Sequence, residues 1–170
     1  VALALILIFN PATFNPVAQH YLPPQPFYSL IEKEEEDYLL LTYPVGLQTT
    51  TDDVQTGKGA SLTCYVVWHH KRTLSGIAPY YEGEVFKAMS FLYPESLTPK
   101  EIPIAAEQLG RAVNEWRIGY VVVHSEEIEE NTVSTIEELA HQSEALCPPI
   151  KQGQLIIFRA RWHPLGCTLQ

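Results

Sequence analysis

Three of the six histidines stand where an imidazole could do chemistry. His69 and His70 are adjacent, and His124 closes the apolar run Tyr120-Val121-Val122-Val123. Adjacent side chains point about 100° apart on a helix and to opposite faces of a strand. His69 and His70 therefore cannot grip one metal ion together, and each is a candidate contact on its own. His124 falls at the carboxyl end of a strand, the edge that lines ligand crevices in open α/β sheets. It is a candidate binding residue; the alternative is a strand-end imidazole bonded to a loop carbonyl. Trp68, Tyr80 and Tyr81 offer flat faces on which a sugar can stack, or else they cover a core edge.

Other constellations lack the spacing their chemistry needs. Gly57-Lys58-Gly59 has neither the preceding glycine nor the following Ser/Thr of a phosphate loop. Asp52-Asp53 lies in a polar, glycine-punctuated stretch and suits a turn better than acid/base work. Glu126, Glu127, Glu129 and Glu130 do not follow the ligand pattern of a calcium loop. There is no GxSxG elbow and no CxxC pair, and no haem or iron–sulfur spacing appears. No catalytic residue, metal site or cofactor is expected. Cys64, Cys147 and Cys167 are expected as three buried thiols, one disulfide with one free thiol being the alternative.

The elements that must position these residues are those of one domain. With 46% hydrophobic and 18% charged residues in 170, the chain can bury a core and disorder is excluded. A net charge of −9, with 11 scattered basic residues, excludes a phosphate-binding stripe and hence a nucleic-acid partner. Residues 1–9 are wholly apolar and stop at Asn10-Pro11. At ~1.5 Å per residue they cover less than half of a ~30 Å hydrocarbon core, so they read as the end of a truncated transmembrane helix. A buried core element is the alternative; a signal peptide would need a basic n-region and a small-residue cleavage site. The first basic residue is Lys33, and cationic residues gather on the cytoplasmic side of spans, so the domain is expected on the outer face.

Residues 10–26 carry five prolines and read as an extended strap, leaving 27–170 as a soluble α/β domain. Phe27–Ile31 reads as a short helix, and Glu32–Asp37 as a solvated turn. Tyr38–Tyr43 lacks alternation and reads as a strand covered on both faces. Ala60–His70 suits a helix, Leu74–Ala78 a short extended segment, and Glu82–Tyr93 a helix stopped by Pro94. In Pro103–Trp116, Ala105, Ala106, Leu109, Ala112, Val113 and Trp116 share one helical stripe. Tyr120–His124 is the strongest buried strand, Thr135–Leu146 a further helix, and Ile150 with Leu155–Arg161 a final hairpin or edge strand. Together these predict a single mixed, mostly parallel sheet flanked by helices.

Four stretches resemble the C-terminal extracytoplasmic domain of bacterial multi-spanning membrane proteins similar to C-type, polyprenyl-phosphate-sugar-dependent glycosyltransferases. They are Pro26-Phe27-Tyr28 with Asp37–Leu41 and Pro44-Val45-Gly46; Tyr65 with His69-His70-Lys71 and Ser75-Gly76; Leu109–Trp116; and Gly119–His124. Arg72 stands where the family has proline after the lysine, and the second glycine beside Gly76 is missing. The resemblance implies an outer-face domain following the last span, with the catalytic acids in membrane loops absent from this chain. It points to a non-catalytic tethered domain, partnered by the bilayer and by other membrane-protein loops or subunits. The alternatives are an accessory structural subunit of a larger, for instance energy-converting, membrane complex, and a domain contacting a lipid-linked sugar.

Overall fold

The computed structural model describes residues 25–45, 69–74 and 89–168. The apolar leader, most of the strap, and the segments holding Cys64, Trp68, Tyr80 and Tyr81 lie outside them. Among the described residues no helix is long and apolar enough to cross a membrane.

Among the described residues five strands form one mixed sheet: β1 (Leu39–Tyr43), β2 (Arg72–Leu74), β3 (Ile118–His124), β4 (Ile150–Gln152) and β5 (Leu155–Arg159), in the order β2-β1-β3-β5-β4. β1 pairs in parallel with both β2 and β3; β5 runs antiparallel to β3 and β4. The seven residues of β3 are all buried, as its unbroken β-branched run requires of a strand covered on both faces. The expected C-terminal hairpin is present, turning at Gly153 with φ +60°, a conformation open to glycine.

The sheet has two unlike faces. Against one pack α2 (Ile102–Glu115) and α3 (Glu130–Gln142), closing a core with Leu41, Tyr43, Val121, Val123, Ile156 and Phe158. The α2 stripe read from the sequence is the buried one, with Trp116 half-buried at its end. Gly110 lets α2 approach the turn after α3, since a Cβ there would stand 2.8 Å from the Ser143 carbonyl oxygen. The other face carries, among the described residues, the helix α1 (Pro26–Ile31), whose Phe27, Tyr28 and Ile31 pack on Tyr38, Leu40, Tyr120, Val122, Leu155 and Ile157, with Trp162 at the edge. Each such buried side chain contributes about 2 kcal/mol.

Several boundaries differ from expectation. Pro26, placed in the strap, opens α1, where its missing N–H costs nothing. α3 starts five residues earlier than the apolar periodicity suggests and ends at Gln142, because Glu144 turns to φ 55° and Leu146 leaves to bridge Ala160. The described end of the helix expected to reach Tyr93 is a 3-10 turn, Ser90–Leu92, followed by a second at Pro94–Ser96. Of the extended segment expected at Leu74–Ala78, Leu74 ends β2 (Arg72–Leu74), and 75–78 lie outside the described residues.

The expectation of three buried thiols fails, because Cys147 and Cys167 are disulfide-bonded with their Cα atoms 5.2 Å apart. The strand order explains the pairing. β5 carries the chain back past Cys147, whose N–H donates to the Arg159 carbonyl at 2.7 Å, and the tail turns at Gly166. Arg159 Nη1 donates to the carbonyls of Gly166 and Thr168, and Trp162 Nε1 to that of Val113. Closing a loop over a sequence separation of 20 constrains the unfolded chain, so reduction should lower the unfolding free energy by about 2 kcal/mol. Urea unfolding with and without dithiothreitol measures this, and an unchanged midpoint would contradict it.

Candidate functional site

The polar side chains of the α1 face fall into two groups. At the carboxyl end of β3, His124 Nε2 and the Tyr28 hydroxyl share a hydrogen bond of 2.8 Å. The His124 ring lies nearly parallel to that of Tyr28, centroids 6.1 Å apart, and the His69 ring packs on Tyr28 at 5.2 Å. Both imidazoles are 1% exposed. Burial lowers the pKa of each to about 4, aided at His69 by the neighbouring His70 and Lys71 charges. His69 Nδ1 accepts the Lys71 N–H, so the neutral ring carries its proton on Nε2, where it finds no acceptor among the described residues.

The second group gathers on Glu34. Its Oε2 accepts from the Tyr38 hydroxyl and, at 3.2 Å, from His163 Nε2; its Oε1 accepts from the Tyr120 hydroxyl at 2.8 Å. Tyr38 sits before β1, Tyr120 on β3 and His163 in the turn beyond β5, so one carboxylate joins three parts of the fold. Lys71 Nζ donates to the carbonyl oxygens of Glu34 and Glu36 and lies 4.8 Å over the Tyr38 ring. Burial raises the pKa of both tyrosines first, and the Glu34 bond and charge raise them further. Burial lowers that of His163, outweighing the opposing pull of Glu34.

Glu34, Glu36 and His163 bring potential ligand atoms within 4.8 Å of one another. Their bonding favours hydrogen bonds over a cation. His163 Nδ1 accepts the Leu165 N–H at 3.3 Å, which leaves the proton on the Nε2 that faces Glu34. A metal would need that nitrogen bare, and the Lys71 ammonium beside the two glutamates opposes added positive charge.

The structure separates the adjacent histidines, as their spacing requires. His69 is buried, whereas the His70 side chain is 69% exposed, with Nε2 3.6 Å from Glu32 Oε1. His124 joins His69 around Tyr28 beneath α1, its Nε2 bonded to the Tyr28 hydroxyl. Trp68, Tyr80 and Tyr81 lie outside the described residues. Sequence reasoning missed the Glu34 group, taking Glu32–Asp37 as wholly solvated. Glu34 and Glu36 are half-buried, while Glu32, Glu35 and Asp37 are exposed. The available signal was alternation through that run toward Tyr38, masked by uniform charge; His163, beside Trp162 in the tail, offered none. Compared with known proteins, the chain matches no family model, no curated protein and no solved structure, so its chemistry is judged from its own residues.

Proposed function

We propose that this chain is a non-catalytic, membrane-tethered extracytoplasmic domain of a glycosyltransferase-like bacterial membrane protein, working by binding or assembly on the outer face of the cytoplasmic membrane. The Cys147–Cys167 bond carries the location, because disulfides persist in oxidising compartments and are rare where glutathione and thioredoxin keep thiols reduced. The non-catalytic role is supported by how the titratable groups are used. Glu34, His163, Tyr38 and Tyr120 satisfy one another in a closed network. His69 and His124 sit neutral beneath α1 instead of at an open edge. The acidic net charge, with basic residues scattered singly, supports partners that are proteins rather than phosphate polymers.

The intact gene product should fractionate with membranes, and a membrane-impermeant maleimide should label Cys147 and Cys167 only after reduction. A protein recovered in the soluble fraction with both thiols reactive at the outset would sink the proposal. Purification in mild detergent then separates a lone polypeptide from a subunit of a larger complex.

A further inference from the structure

The segment after β5 closes one edge of the sheet. Trp162 packs against the cores of both sheet faces, gives its indole N–H to the Val113 carbonyl, and lies under the Arg117 guanidinium at 4.5 Å. His163, 2% exposed, reaches Glu34 from there, its ring packed on those of Tyr38 and Tyr120 at 5.4 and 5.1 Å. Beyond His163 the contacts thin out. None of residues 164–168 is buried, and among the described residues their hydrogen bonds reach back no further than Arg159. The bond from Cys167 to Cys147, across a sequence separation of 20, is what ties this segment to a distant part of the fold. A segment with so few buried contacts opens at small cost once its tether is cut.

The two cysteines stand in unlike surroundings. Cys147 is 5% exposed and is fixed by the backbone: its N–H donates to the Arg159 carbonyl, and Leu146 before it bridges Ala160. Cys167 is exposed, near the far end of the unburied segment. Thiolate attack on a disulfide depends on access to the sulfur attacked. We propose that Cys147–Cys167 is an exchangeable clasp: a dithiol attacks Cys167, frees residues 164–168 and loosens His163 from Glu34. One thiolate of the dithiol bonds to Cys167 Sγ; the Cys147–Cys167 bond breaks, and Cys147 leaves as a thiolate and takes a proton. The second thiolate of the dithiol then displaces Cys167, which leaves and is protonated in turn. The protein gains two thiols, and the dithiol ends as a disulfide, oxidised by the two electrons the protein has taken up. The release passes inward through His163, because the Leu165 N–H donates to its Nδ1 at 3.3 Å and the Gly166 N–H to its carbonyl at 2.7 Å. The clasp does not depend on the proposed location, since the purified chain tests it.

Hydrogen exchange on the full chain, without denaturant and with dithiothreitol as the dithiol, reads the release. On reduction, protection of 163–166 and of the Trp162 indole N–H should fall at least ~10-fold, while that of 102–115 stays unchanged. An unchanged 162–166 would show that the segment is held without the bond, and an equal fall in both regions would show global loosening; either overturns the clasp. Brief exposure to glutathione, quenched in acid and mapped by mass spectrometry, reads the point of attack. The mixed disulfide should sit on Cys167 at least ~10-fold more often than on Cys147, and an even division or the reverse would overturn the assignment. Cys167→Ser should show the released pattern before any reductant is added and no further change afterwards; a further fall on reduction would also overturn it. Should that variant fail to fold, the two measurements on the unmodified chain decide.

Discussion

Glu34→Ala should lower the unfolding free energy by about 4 kcal/mol, the sum of donors left without an acceptor at about 1–3 kcal/mol each. Three donors are involved: the hydroxyls of Tyr38 and Tyr120, and the His163 ring nitrogen. Tyr38 and His163 are almost wholly buried, so water does not readily replace the lost oxygen. Glu34→Gln keeps one acceptor oxygen and should cost about half as much. Tyr120→Phe placed on Glu34→Ala should recover part of the loss, because it removes a stranded hydroxyl. Urea unfolding of the three variants reads each value, and a double-mutant cycle isolates the coupling. A loss below about 1 kcal/mol for Glu34→Ala would show that the carboxylate is a solvated surface group with incidental neighbours.

That dependence on distant partners explains why the Glu34 group was not legible while the fold was. The mixed α/β sheet, the α2 stripe and the terminal hairpin rest on local signals: apolar period, glycine turns and proline stops. The buried run Tyr120–His124 announced β3 without help from any other element, although the strand begins two residues earlier, at Ile118, in what reads as a helix-closing turn. α3 was found but misplaced, because its first turn, Glu130-Asn131-Thr132, carries no apolar signal and includes weak helix formers. The Glu34 network needs residues separated by 86 and 129 positions, and no single-sequence pattern reports such separations. The same holds for Cys147 and Cys167, whose meeting follows only once β5 is known to run antiparallel to β3. His124 does lie at a strand end, but its partner Tyr28 is 96 residues away on a helix whose docking was not predicted.

Gly119→Val should cost about 4 kcal/mol, more than its place near the start of a strand suggests. β1 and β3 shift register there: Leu39 faces Ile118, while Leu40 faces Tyr120, so Gly119 is passed over in the pairing. An added Cβ would stand 2.6 Å from Tyr38 Cγ and 2.7 Å from its Cδ2. Those atoms are the root of a fully buried ring whose hydroxyl is fixed on Glu34, so the ring cannot swing aside without breaking that bond. Overpacking of this kind costs about 1–3 kcal/mol, and the loosened hydroxyl adds about 1 kcal/mol more. Gly153→Ala is the contrasting case: its φ of +60° disfavours a side chain, yet nothing lies within 4 Å of the new Cβ. Only backbone strain of about 1 kcal/mol applies there. Thermal unfolding should therefore show a fall in Tm of roughly 8–16 °C for Gly119→Val against roughly 2–4 °C for Gly153→Ala. Equal shifts would mean that Tyr38 yields freely, and the Glu34 network would then be looser than its bonds imply. If Gly119→Val on a Glu34→Ala background costs less than on the unmodified chain, the two sites act through the same tyrosine, as the geometry requires.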